Sequence, residues 1–384
     1  MNSLKGCVSK VMYLNRRNLL KTSGLALGAG IVSPLLPPTQ AMAANLAPTS
    51  DSLIRLSFNE NPYGPSPRVS EAIQKELTRV NRYADAAAAQ KLAEQIAAYE
   101  KLPVEQVVLG EILGLLGTYL AGEGGPGSEF LYSTPGYLAL IDAAARLGGV
   151  GVPVPLDAQY ENDLHALSQK ITPRTRGIYL VNPHNPTGTV NEDRAFKQFL
   201  RESSQHAVAI IDEAYLEYTD DFAERSAVSL VREGANVIVF RTFDKIHGLA
   251  GLPIGYALTS APIAAALRKQ GAGDAEALGR LNIAAASAAL ADTAQVAHTR
   301  EAIAKEREIW LTVLRDLKLP HTATRANFVF FDAGQPQPQL AEKLRARSID
   351  IGRPHPPYIN WARVTIGLAE ENQRTQDALR QALR

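Results

Sequence analysis

The sequence predicts an α/β fold: a mostly parallel sheet in a large domain, joined to a smaller α+β domain. Three observations carry this. From about residue 75 to 260, helical periodicity alternates with short apolar runs, the pattern of βα units. Four of those runs end in clusters of polar or aromatic residues. Beyond about residue 265 the alternation gives way to a long amphipathic helix and isolated strand-like runs. A chain of 384 residues suggests two domains, and with 46% hydrophobic and 21% charged residues it can bury a large core.

Residues 1–22 hold Lys5, Lys10, Arg16, Arg17 and Lys21 without an acidic residue. An apolar stretch from Gly24 to Leu36 follows, then Ala41-Met42-Ala43. A basic head, an apolar middle and a small-x-small end make a secretory signal, too short and too rich in Gly and Pro to span a bilayer. Cleavage after Ala43 is expected, an uncleaved anchor being the alternative. Removing residues 1–43 leaves 35 basic residues against 39 acidic ones and no cysteine, since Cys7 is the only one. An oxidising compartment such as a periplasm fits that absence. A single cysteine excludes a disulfide framework and a thiolate-built metal site. A net charge of +1 with no basic run gives no electrostatic footprint for nucleic acid.

Residues 44–74 read as an N-terminal arm, whose Pro-rich stretch 59–67 packs against the smaller domain or crosses to a partner chain. The large domain, 75–265, has expected strands at 106–109, 129–133, 150–155, 177–181, 207–211 and 236–241. The small domain, 266–384, has a helix at 292–317, a strand at 327–332, a helix near 339–347 and a strand at 363–366. Residues 177–181 lead into Asn182-Pro183-His184-Asn185-Pro186-Thr187-Gly188. The run at 207–211 leads into Asp212-Glu213-Ala214-Tyr215, 236–241 into Thr242-Phe243-Asp244-Lys245, and 129–133 into Thr134-Pro135-Gly136-Tyr137. In open α/β sheets ligands sit at the carboxyl ends of the strands, so these groups are expected to converge on one site.

Together with Asn59-Glu60-Asn61-Pro62-Tyr63-Gly64-Pro65, Arg82-Tyr83, Lys245-Ile246-His247-Gly248-Leu249-Ala250-Gly251-Leu252 and Arg363-Val364-Thr365-Ile366-Gly367, the chain resembles the class I/II aminotransferases of the pyridoxal-phosphate fold type I. It looks closest to the histidinol-phosphate group, over about residues 53–380. The resemblance implies an aspartate aminotransferase-like fold, pyridoxal 5′-phosphate as cofactor, a homodimer, and transfer of an amino group between an L-amino acid, or an amine like one, and a 2-oxo acid. It also implies Lys245 as the Schiff-base lysine and proton carrier, Asp212 beside the pyridine nitrogen, Tyr215 and Asn185 on the phenolic oxygen, and Tyr137 stacked on the ring. Thr242, and Tyr83 from a second subunit, complete the cofactor set. Arg363 matches the position that grips a substrate carboxylate as a bidentate fork, with Arg353 a second candidate and Tyr63 and Asn327 lining the same cavity. Arg16-Arg17-Asn18-Leu19-Leu20-Lys21 resembles the twin-arginine signal, which implies export of the folded protein through that machinery to the periplasm or beyond.

The sequence departs from the family where the cofactor phosphate is usually held. Gly110-Glu111-Ile112-Leu113 replaces a turn of small residues, Asp244 stands where Ser is usual, and Pro253 stands where Arg is usual. Both the added acid and the lost cation disfavour a dianion. Three readings stay open: a phosphate held by helix-terminal amides with His247 or another base compensating; different chemistry at the α-carbon, such as decarboxylation, racemisation or oxidation; or a non-catalytic periplasmic ligand-binding protein.

Overall fold

The computed structural model describes residues 53–383, so the expected signal and its cleavage site lie outside the described residues. Eleven strands occur among them: β1 (Ile54–Leu56), β2 (Val107–Leu109), β3 (Glu129–Thr134), β4 (Val150–Pro155), β5 (Thr175–Val181), β6 (Val208–Asp212), β7 (Val237–Thr242), β8 (Gly255–Leu258), β9 (Phe328–Asp332), β10 (Ile349–Ile351) and β11 (Trp361–Thr365). Seven form one sheet in the order β2-β8-β7-β6-β5-β3-β4, parallel except for β8.

β6 and β7 read as unbroken apolar runs because both faces of the sheet are covered. Alternate residues supply two cores. Ile178, Leu180, Ala209, Ile211, Val237 and Val239 pack beneath the helices Ala86–Glu100 and Asp193–Ser203. Tyr179, Val181, Ile210, Ile238 and Phe240 pack on the opposite face with helices Leu113–Gly124 and Ala139–Ala145. The strands run about one residue beyond the expected ends, since Thr134, Asp212 and Thr242 still pair before their loops begin.

A separate core lies around β9 and β11, which pair antiparallel, and around β1 and β10, which pair in parallel. Helices Thr293–Asp316, Gln337–Arg345 and Ala369–Ala382 cover it. Trp310 is fully buried there, its indole N–H donating to Asn372 Oδ1 at 3.0 Å. The arm therefore packs on this smaller sheet: β1 pairs with β10, and the Asn59 amide donates to Thr365 Oγ1 at 2.9 Å. β1, β8 and β10 escape the sequence reading because runs of three or four residues carry too little periodicity.

Two features tie this frame to the loops beyond the sheet. Arg241, 2% exposed, donates to Glu213 Oε2 at 3.1 Å, to Glu100 Oε1 at 2.9 Å and to Ser226 Oγ at 2.8 Å. Tyr256 adds its hydroxyl to Glu100 at 2.9 Å, so β7, β8, one helix and the loop after β6 share a buried ionic cluster. Gly248 has φ +74°, and a Cβ there would lie 2.5 Å from the carbonyl carbon of Gly64. Only glycine fits this conformation together with that approach. No helix of the described residues is long and apolar enough to cross a membrane.

Candidate active site

The parallel strands β2, β7, β6, β5 and β3 present their carboxyl ends along one edge of the sheet, and a cleft of ≈ 280 Å³ opens above it. Lys245, Asp212, Tyr215, Asn185, Tyr137, Thr242, Arg363 and Arg353 all line it. The fold brings these eight expected residues together from positions up to 226 residues apart (137 to 363), six from the loops and strand ends of the large sheet and the two arginines from the side of the smaller sheets.

Asp212 is 3% exposed at the end of β6. Its Oδ1 accepts from the Ala214 amide at 3.0 Å and its Oδ2 from the Tyr179 hydroxyl at 2.9 Å. Burial nevertheless pushes its carboxyl up to about 6, against the pull of those bonds and of the Lys245 ammonium. A buried acid raised in this way is short of compensating positive charge. Lys245 follows β7 half-buried, close enough to act on Asp212, and its side-chain amine is in no hydrogen bond or ion pair among the described residues.

On the small-core side, Arg363 is 8% exposed. It donates to Asn185 Oδ1 at 2.7 Å and to the Ser57 carbonyl at 2.8 Å, while its Nε has no partner. Burial lowers its affinity for its proton, and no carboxylate pairs with it among the described residues. A buried guanidinium with an unmet donor is a receptor for a carboxylate. Arg353 is exposed at the rim of the same cleft.

The match to known proteins covers this whole frame. The family model for aminotransferase class I and II matches residues 51–379. The chain belongs to that family. A histidinol-phosphate aminotransferase of Moorella thermoacetica is 33% identical over 338 residues, covering 86% of each protein. An aromatic amino acid aminotransferase of Thermobifida fusca is 34% identical, covering 88% of this chain and 92% of its own. The crystal structure of histidinol-phosphate aminotransferase from Sinorhizobium meliloti in complex with pyridoxal-5′-phosphate superposes with TM-score 0.78 at 28% identity, over 87% of this chain and 91% of that one. The fold is the aspartate aminotransferase-like fold of pyridoxal-phosphate enzymes.

Three expected site residues stand outside this aminotransferase's cleft lining. Asn327 is buried, but its Nδ2 is spent on the carbonyls of Asn59 and Glu60 at 3.0 and 3.3 Å, so it shapes the arm. Tyr63 lies edge-on to His298 with ring centroids 6.4 Å apart, packed toward the small core. Tyr83 is 76% exposed on its own chain. His247 does not compensate an anion in the cleft: its Nε2 turns away to Glu217 at 3.5 Å, and its ring packs on Phe243.

Residues the sequence reading missed hold the others in place. Asn59 donates to the Tyr215 hydroxyl at 3.1 Å and Asn61 to the Ile246 carbonyl at 2.8 Å, so the arm holds the loops that carry Tyr215 and Lys245. Phe58, Phe240 and Leu113 add apolar walls. The NENPYG run was the available signal for Asn59 and Asn61; Tyr179 inside β5 reads only as a core aromatic.

The ring end of this cleft fits the cofactor of the family: a free lysine, a cation-starved carboxylate and aromatic surfaces. The flank toward β2 and β7 is acidic instead. The Thr242 hydroxyl donates to Glu111 Oε1 at 3.3 Å and accepts from the Asp244 amide at 3.1 Å. Glu111 is open to solvent as a residue, yet its carboxyl end is enclosed here. That enclosure, and next the Asp244 carboxylate, push it up to about 7.

Arg363→Lys keeps the charge but loses the fork. It is expected to lower kcat/KM for carboxylate-bearing donors by about 10- to 100-fold. An amine donor that lacks the carboxylate, assayed in parallel, is the control and is expected to be spared.

Proposed function

We propose that this pyridoxal 5′-phosphate-dependent aminotransferase moves an amino group between an L-amino acid, or an amine like one, and a 2-oxo acid. The observation that carries the reading is the placement of an unpaired Lys245 just beyond β7 and a cation-starved Asp212 at the end of the adjacent β6, opposite Arg363 with its unmet Nε. Pyridoxal phosphate, when bound, supplies an aldehyde for the amine and a ring that accepts electrons from the α-carbon.

The protein does the rest. Asp212, held by Tyr179 and Ala214, keeps a negative charge against the ring nitrogen so that the nitrogen stays protonated. Asn185 and Tyr215 face the phenolic oxygen, each steadied by a second residue, Arg363 and Asn59. The exposed Tyr137 supplies a stacking face. Arg363 fixes the substrate carboxylate and with it the α-carbon, whose proton the Lys245 amine takes and returns on another atom.

The named relatives favour transfer over decarboxylation, racemisation, oxidation or simple ligand capture. Their printed substrates make histidinol phosphate and aromatic amino acids the first donors to assay with 2-oxoglutarate. The expected result is a ketone from histidinol phosphate, or a 2-oxo acid from an aromatic amino acid, with equimolar glutamate. Release of carbon dioxide or hydrogen peroxide without glutamate would overturn the reading.

We also propose a homodimer in which the exposed Tyr83 reaches the neighbouring cleft, and export by the twin-arginine route. Supporting export, the family match begins at residue 51, after the Arg16-Arg17 signal and the Ala41-Met42-Ala43 site. Export of the folded chain would carry the cofactor out already seated. Residues 75–265 as a large domain and 266–384 as a small one stand as the proposed division.

A further inference from the structure

Resting on the cofactor assignment above, a finer one follows from the acidic flank. A pyridoxal ring whose nitrogen meets Asp212 and whose carbon 4 meets Lys245 carries its 3-oxygen on one side and its 5-substituent on the other. Asn185 comes from beyond β5, on one side of Asp212 in the sheet order. Glu111, Thr242 and Asp244 come from β2 and β7, on the other side. The 5-substituent therefore meets the acidic flank.

This flank is built to accept hydrogen bonds. Glu111 precedes the Leu113–Gly124 helix, whose first turn has no side-chain cap. A helix N-terminus attracts an anion, but the one side-chain hydrogen bond of Glu111 among the described residues is the one from Thr242. The one proton of the Thr242 hydroxyl already has two acceptors within the protein, Glu111 Oε1 at 3.3 Å and the Ile254 carbonyl at 3.5 Å. Asp244 Oδ1 is buried without a partner. Pro253, between Leu252 and β8, has no donor to offer. The charged and titratable groups facing Glu111 are Asp244 and Lys245 beyond β7, Asp212 at the end of β6 and Tyr137 beyond β3. Lys245, the one cation among them, is committed to carbon 4.

We propose that Glu111 and Asp244 make the 5-substituent subsite select a hydrogen-bond donor over a dianion, so that the phosphate ester is held only together with a proton while the 5-hydroxymethyl form, pyridoxal, is taken without one. Glu111 and Asp244 are thus determinants of cofactor form. As pH falls through about 7 the Glu111 carboxyl becomes neutral and can donate to a phosphate oxygen; above that it repels it.

The test is equilibrium dialysis of the purified protein against pyridoxal phosphate and against pyridoxal. It is run at about pH 6.5 and about pH 8.5, both above the phosphate's own second pKa near 6. Pyridoxal shares the ring and, once its internal hemiacetal opens, the aldehyde, so it corrects for the titration of Lys245 and Asp212, and the cost of opening cancels when the ratio is compared between pH values and between variants. The ratio Kd(phosphate ester)/Kd(pyridoxal) is expected to rise about tenfold or more between the two pH values. In Glu111→Gln it is expected to fall below the wild-type value and to lose most of that rise. Asp244→Asn is expected to shift it the same way, and serves if Glu111→Gln fails to fold. A ratio that is the same at both pH values and in both variants would overturn the proposal while leaving the cofactor assignment intact. Failure of both vitamers to bind would overturn that assignment with it.

Discussion

Replacing Lys245 with alanine is expected to lower amino transfer by at least about 10²- to 10⁴-fold, the range of a positioned proton-transfer group. The side chain stands half-buried in the cleft, and its ammonium is spent on no ion pair or hydrogen bond among the described residues. Its removal breaks no hydrogen bond or ion pair, and a proton taken up by one of the neighbouring acids can replace the charge it takes from beside Asp212, Glu111 and Asp244, so the chain should stay folded. The checks are single-turnover product formation, absorbance of the cofactor-loaded protein, and circular dichroism for the fold. A well-folded variant keeping wild-type turnover would remove Lys245 from the reaction.

The second large effect falls on stability. Arg241→Ala strands Glu100 and Glu213, two buried carboxylates, without their cation. Breaking a buried pair in this way costs about 3–5 kcal/mol, a large share of the roughly 5–15 kcal/mol that holds a folded protein. The urea midpoint should drop accordingly. The triple replacement Arg241→Met, Glu100→Gln, Glu213→Gln should recover much of the loss, because the cost lies in the uncompensated charge. If the triple variant is no better than the single one, lost packing of Arg241 is the cause instead. Since Glu213 adjoins Asp212, the single variant should also loosen the cofactor.

Much of the cleft was legible because of one regularity. A buried parallel strand is an apolar run without alternation, and whatever polar residue stops the run lands on the ligand-binding edge. Asp212, Lys245, Asn185 and Tyr137 were each readable from that rule. Arg363 was readable only through the motif around it, since it lies within β11 and not beyond its end. What stayed hidden depends on pairings across long stretches of chain. Asn59 reaches Tyr215 across 156 residues and Thr365 across 306. Asn327 shows why a polar residue beside a strand need not face a cavity, since loop carbonyls can claim its amide first. The acids at positions 111 and 244 were visible as departures, but only the fold shows them sharing Thr242.

The backbone crossing at Gly248 and Gly64 has a consequence for how this enzyme can change. Asn61 ties the Ile246 carbonyl to the arm, and a methyl group on Gly248 would run into the backbone of Gly64 and Pro65. The loop that carries Lys245 is thus held by a stretch about 180 residues earlier, itself sewn onto the smaller sheet through β1. Insertions in the arm, far from the cleft in sequence, would register as errors in lysine placement, so drift in that segment is coupled to chemistry.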